Sequence, residues 1–106
     1  MSYSVKFSPL ALADLDRVYY EVFQACLDNN TTRKYVSELI DKIESKKDFP
    51  ESGTPLNFNN IFTGYRLIIY KSYIAFYYID NNTIYVDRVL YSKSDYIRKL
   101  NLVNIL

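Results

Sequence analysis

Two arginines, Arg66 and Arg88, and a set of tyrosines spaced around them are the residues of this 106-residue chain with the most chemistry to offer. Histidine is absent and there is a single cysteine, Cys26. Imidazole catalysis and the usual Cys/His zinc patterns are therefore excluded, and no metal or other cofactor is expected. Any reaction must run on Arg, Lys, Tyr, carboxylates or hydroxyls. Arginine presents a planar, bidentate donor fork suited to phosphate or carboxylate, so two arginines aimed at one point would make an anion site.

Whether they meet depends on the strands that carry them. From Thr63 onward the chain turns β-branched and aromatic, which predicts strands near 63–70, 73–79 and 84–90. Asp80-Asn81-Asn82-Thr83 and Tyr70-Lys71-Ser72-Tyr73 read as two tight turns, asparagine tolerating the positive φ that such loops demand. Counting through them puts Arg66 opposite Tyr77, Ile68 opposite Ala75 and Ala75 opposite Arg88. The guanidinium groups then flank a small alanine on one face of the sheet.

That face also carries Ile68, Tyr70, Tyr73, Tyr77, Ile79, Ile84, Val86 and Leu90. The opposite face holds Tyr65, Leu67, Ile69, Ile74, Phe76, Tyr78, Tyr85 and Val89, is apolar or aromatic apart from Asp87, and is expected to pack against helices. The arginine face is expected to stay open, its exposed aliphatic groups awaiting a partner. For either arginine alone, the ordinary reading is a surface residue paired with a nearby carboxylate. Asp87 is the exception on its face, with a strand-end bulge as its only account.

The helices come from the first half. Tyr3 to Phe7 alternates at period two and predicts a short strand, which Ser8-Pro9 ends by capping a helix that begins at Pro9. Leu15, Val18, Val22 and Cys26 mark its apolar side, with Cys26 as a small packing residue, and the helix should end near Asp28-Asn29-Asn30. A second helix is predicted after Thr31, with Val36, Leu39, Ile40 and Ile43 as its stripe. Phe49 to Pro55 reads as a loop into the sheet. Ser92-Lys93-Ser94-Asp95 matches a capping box and predicts a short last helix. The whole is one α+β domain spanning residues 1–106, β-α-α-β-β-β(-α), with a helical hairpin on one face of a small, mainly antiparallel sheet.

Charge adds a mild bias. Residues 1–60 carry seven Lys/Arg against nine Asp/Glu, and residues 61–106 carry six against three, so an anionic partner would be drawn to the second half. No apolar run reaches the roughly 20 residues a membrane helix needs. Nothing at the start resembles a signal peptide, so a soluble, cytoplasmic protein with no membrane partner is expected.

Taken in order, the motifs resemble a known family. Ser-Pro-x-Ala-x-x-Asp-Leu (Ser8 to Leu15), Phe-Pro-x-x-Gly (Phe49 to Gly53), Gly-Tyr-Arg-Leu (Gly64 to Leu67), Tyr-Ile-x-Phe-Tyr-x-Ile-Asp (Tyr73 to Asp80) and Ile-x-Val-x-Arg-Val-Leu-Tyr-x-x-x-Asp (Ile84 to Asp95) are together similar to the RelE/ParE toxins of type II toxin–antitoxin modules. The resemblance implies a toxin that arrests growth and is neutralised by a cognate antitoxin. It implies one of two targets: messenger RNA on the ribosome, or DNA gyrase.

In the RNA reading, which the shared arginine–tyrosine face favours, the chain is a metal-independent endoribonuclease with Arg66, Arg88 and Tyr91 as its catalytic set. Tyr91 stands where related nucleases often have histidine. Lys71 and Lys93 supply positive charge, and Tyr73 and Tyr77 stack on bases. Ile68, Ile79, Ile84, Val86 and Leu90 are then the antitoxin contact. The alternatives are a gyrase poison, for which near-neutral charge and a long helical hairpin suit protein recognition, and a degenerate, interaction-only member of the family.

Overall fold

A computed structural model describes residues 3–102. Strand β1 (Ser4–Phe7) leads through Ser8 into helix α1 (Pro9–Cys26), which is followed by helix α2 (Asn29–Glu44). Two short 3-10 turns, at Ser45–Lys47 and Pro50–Ser52, then bring the chain to β2 (Thr54–Phe58), β3 (Ile61–Tyr70), β4 (Tyr73–Asp80), β5 (Thr83–Tyr91) and helix α3 (Tyr96–Lys99). The strands form one sheet in the order β1-β5-β4-β3-β2, antiparallel except for β1, which runs parallel to β5.

Local chemistry sets the ends of these elements. The Ser8 side chain accepts from the Ala11 N–H with Pro9 in the first turn, as the sequence predicts. Leu27 closes α1 in the left-handed conformation, and Asp28 caps α2, which therefore starts at Asn29, earlier than its apolar stripe suggests. Both predicted tight turns are present, with Lys71 and Asn81 at positive φ. The last helix is capped by Asp95 and not by Ser92.

Two features depart from the reading of the sequence. The first is β2, an added edge strand paired with a lengthened β3 through Asn59-Asn60, both at positive φ. Its signal was present, since two asparagines between apolar residues, here Phe58 and Ile61, are a hairpin mark, but Pro55 made the segment read as loop. The second is a bulge in β5. Tyr77 pairs with Val86 but Phe76 pairs with Arg88, so Asp87 is the extra residue. Beyond it the register differs by one from the two-hairpin count: Ala75 lies opposite Val89, not Arg88.

The faces are also exchanged, except past the bulge, where Val89 packs on the hairpin as expected and Leu90 on the other side. Ile68, Tyr73, Ala75, Tyr77, Ile84, Val86 and Val89 pack against Ala11, Val18, Leu39 and Ile43 of the helical hairpin. Two small residues, Ala11 and Ala75, are fully buried in this layer, and they let helix and sheet approach closely. The other face carries bulkier rings, and Ile74, Phe76 and Leu90 pack with Leu56, Leu100 and Leu102, beneath the α3 segment. Summed apolarity did not distinguish the two faces, because both are covered, the second only in part, with Ile69 and Tyr78 left exposed. The sheet lies between the hairpin and the C-terminal segment.

The expected antitoxin contact is corrected accordingly. Ile68, Ile84, Val86 and Leu90 are core residues, each at most 2% exposed, and Ile79 is partly buried against the hairpin cluster. Ile68, Ile84, Val86 and Leu90 fill the interior and offer no surface to a partner, and only Ile79 keeps some exposure.

Candidate functional site

The two arginines do not converge. Arg66 sits in the row with Tyr77 and Val86, whereas Arg88 pairs with Phe76 one position along β4. The bulge puts them out of register, and their guanidinium groups reach different partners, Arg66 the carbonyls of Glu51 and Gly53 and Arg88 the carboxylate of Asp14.

Each guanidinium is engaged within the fold. Arg88 Nε and Nη2 donate to Asp14 Oδ2 and Oδ1 of α1 at 2.7 and 3.0 Å. Asp14, 2% exposed, also accepts from the Val89 N–H at 2.9 Å and from Arg17 Nη1 at 2.7 Å. Burial is the largest single influence on this carboxyl and pushes its pKa up. The bonds from Arg88, Val89 and Arg17 together outweigh it, and hold the group below its ordinary 3.8. Hydrogen bonding to Asp14 in turn holds Arg88 above its usual value. This is a weld between α1 and the strand just past the bulge, with Arg17 Nη2 adding a bond to the Val89 carbonyl at 2.9 Å.

Arg66 Nη1 donates to the carbonyls of Glu51 and Gly53 at 3.0 and 3.1 Å, and its guanidinium lies 5.4 Å from the Phe62 ring centre. It braces the turn that leads into β2. Tyr77 serves the same turn: fully buried, it donates to the Pro50 carbonyl at 2.6 Å and accepts from the Gly53 N–H at 3.0 Å. A base cannot stack on it. The sequence reading missed Asp14 as the partner of Arg88, although the carboxylate was in plain view: Asp14 lies three residues after Ala11 and four before Val18 on the core side of α1, where an acid needs a cation.

The remaining expected site residues gather elsewhere, at the far end of β5. There a cleft of about 730 Å³ opens between the α1–α2 corner, the β3–β4 turn and the start of the last helix. Tyr73 and Tyr91 line it, together with Val22, Cys26, Tyr35 and Lys99. Tyr73 is 5% exposed and donates to Glu21 Oε1 at 2.8 Å. Burial first, and then Glu21, push its pKa well above the usual tyrosine range, so it is a poor proton donor or base at neutral pH. Tyr91 meets it edge-on at 5.9 Å and is 43% exposed. Tyr35 packs edge-on against both Tyr70 and Tyr73.

Lys71 is exposed on the β3–β4 turn, its Nζ 5.0 Å from the Tyr35 ring centre and 5.2 Å from that of Tyr70. Lys93 is exposed beside Ser94, another cleft residue. Tyr70 donates to Glu38, and burial with that carboxylate pushes its pKa up to about 12. Cys26 is exposed at the helical corner, 3.3 Å from the Thr32 hydroxyl, and is not the packing residue its position in the stripe suggests. The structure thus brings Tyr73 and Tyr91 into one opening with Lys71 over its Tyr35 wall, keeps Lys93 on the turn beside it, and leaves Arg66, Tyr77 and Arg88 out of it.

No helix among the described residues is long and apolar enough to cross a membrane. A search of curated proteins finds no match. Among solved structures, the chain is similar to one from the chromosomal ParDE toxin–antitoxin system of P. aeruginosa, at 18% identity and a TM-score of 0.69, covering 84% of this chain and 95% of that one. It is similar also to one from the RelBE2 toxin–antitoxin complex of Mycobacterium tuberculosis, at 19% identity and a TM-score of 0.61, covering 86% and 99%. These likenesses agree with the layered α+β fold. The model of the ParE toxin of type II toxin–antitoxin systems matches residues 5–96, nearly the whole layered domain from β1 to α3, and by that match the chain belongs to the ParE toxin family.

Proposed function

We propose that this chain arrests growth by binding a protein target, DNA gyrase, and that a cognate antitoxin neutralises it by binding in turn. The observation that carries this reading is the commitment of Arg88 to Asp14. Four donors converge on that carboxylate, and withdrawing Arg88 to bind a phosphate would leave a buried charge short of two of them. Two of the three residues expected to carry RNA cleavage, Arg66 and Arg88, are therefore engaged in holding the fold, and Tyr77 with them. Near-neutral net charge and the long hairpin of α1 and α2 suit recognition of a protein surface better than of a nucleic-acid backbone.

The test is pulse-labelling of DNA and protein synthesis after induced expression without a partner. An early fall in DNA synthesis with a DNA-damage response, translation continuing, is the expected result. An immediate stop in translation with cleaved messenger RNA would return the activity to the ribosome, and uninterrupted growth would make the chain an interaction-only member of its family.

A further inference from the structure

The cleft at the end of β5 has walls, a floor and a charged mouth. Val22, Ala25 and Cys26 from α1, Tyr35 from α2, and Tyr73 and Tyr91 from the sheet make its lining mostly apolar. At about 730 Å³ it is the size of sites that enclose a small molecule or a few bulky side chains. The floor is set: Tyr73 is pinned to Glu21, and Tyr35 and Tyr91 stand edge-on to it at 6.2 and 5.9 Å. Such a pre-ordered aromatic floor loses little freedom on binding.

The mouth is positive. Lys99 lines it, Lys71 lies over the Tyr35 ring, and Lys93 adjoins Ser94 of the lining, while the Ser92 N–H donates to the Ser72 carbonyl at 2.8 Å and ties the two lysine-bearing turns together. Of the acids nearby, Glu21 takes the Tyr73 hydroxyl and lies 4.0 Å from Arg17, and Glu38 takes the Tyr70 hydroxyl. Lys71 and Lys99 therefore offer positive charge beside an apolar hole, while Asp95, which like Lys93 adjoins Ser94, is paired with Arg98 at 3.4 Å.

We infer that this cleft is a docking site for a segment of a partner protein that inserts a bulky apolar side chain between acidic residues. The inference rests on the reading of this chain as a toxin controlled by protein contacts. Charge complementarity selects the acidic flanks, and the apolar walls select the anchor. A single-stranded nucleic acid is the less fitting occupant. The floor tyrosines pack edge-on against one another, and base stacking needs free faces.

The chain contains no tryptophan, so a tryptophan-bearing probe can be read without background. The probe is the capped hexapeptide Asp-Glu-Trp-Leu-Glu-Asp, followed by fluorescence anisotropy against the full chain, with Lys-Lys-Trp-Leu-Lys-Lys as control. The expected result is saturable binding of the acidic peptide at least tenfold tighter than the basic one, weakened tenfold or more by Lys71→Glu with Lys99→Glu, and abolished by Ala25→Trp, which fills the cleft; that variant is followed by displacement with unlabelled probe of a dye-labelled copy. Circular dichroism of each variant confirms that it is folded. No binding, binding that survives both changes in folded protein, or tighter binding of a uridine hexanucleotide would overturn the inference. If the peptide binds as expected while pulse-labelling places the activity on the ribosome, the docking site stands and the gyrase reading alone fails.

Discussion

Two neighbouring stretches of β5, the one just past its bulge and the one at its end, treat their polar groups in opposite ways. Past the bulge, Asp14, Arg17, Arg88 and the Val89 backbone form a closed set in which every donor and acceptor named is answered within the fold. At the C-terminal end, Tyr91 is 43% exposed and the lysines of the neighbouring turns face solvent. Charge alone, then, does not mark a site. Arg88 looks the more functional residue in the sequence, but it is spent on architecture, whereas the plainer lysines are available to a partner.

Removing the Asp14 carboxylate is the sharpest way to press this contrast. Asp14→Ala should cost about 3–5 kcal/mol in urea unfolding, because it strands a buried guanidinium and the Val89 N–H. The replacement Asp14→Leu with Arg88→Met should recover most of that loss, as buried pairs often can be exchanged for packed apolar groups.

The same carboxylate gives a pH signature. Its folded pKa is depressed below 3.8, so its contribution is fully present above that value and is lost as pH falls through the folded pKa. The stability difference between the native chain and Asp14→Asn should be flat near neutrality and shrink in acid below about pH 4. A difference that grew on acidification would mean that the carboxylate is not held by its cations.

Next in size is Gly53→Ala, about 1–3 kcal/mol by the same measurement. A Cβ there would fall on the Tyr77 hydroxyl and 2.7 Å from its Cε1, and that ring is fully buried. At the open end the effects should be smaller. Tyr73→Phe should cost about 0.5–1.5 kcal/mol for its bond to Glu21, and Lys93→Ala should stay within about 0.5 kcal/mol. If either equalled the loss from Asp14→Ala, the division of β5 into a structural and a recognition end would be wrong.

Much of the fold was legible in the residues. Ser8-Pro9 announced α1, the spacing of Leu39 and Ile43 announced α2, and the two tight turns lie where their residue types put them. The site was legible only in part. A one-residue bulge reverses the sense of everything after it, and pattern counting has no means to locate one except through an anomaly. Asp87 was that anomaly: it accepts the Tyr65 hydroxyl at 2.8 Å, while its backbone carbonyl takes the Ser8 hydroxyl at 2.7 Å. The choice of face was hidden for a different reason, since two covered faces give the same hydropathy and only the size of Ala75 and Ala11 separates them.

The pairing of β1 with β5 joins Ser4 to Thr83, across most of the chain. A polypeptide emerging from the ribosome cannot close this sheet until its final quarter has been made, and the opening lined by Tyr35, Tyr91 and Lys99 does not exist before then. A copy that stops short of β5 thus lacks the parallel partner of β1 and the walls that Tyr91 and Lys99 give the opening. In this ParE-family chain the first strand and the cleft are completed by the same late segment.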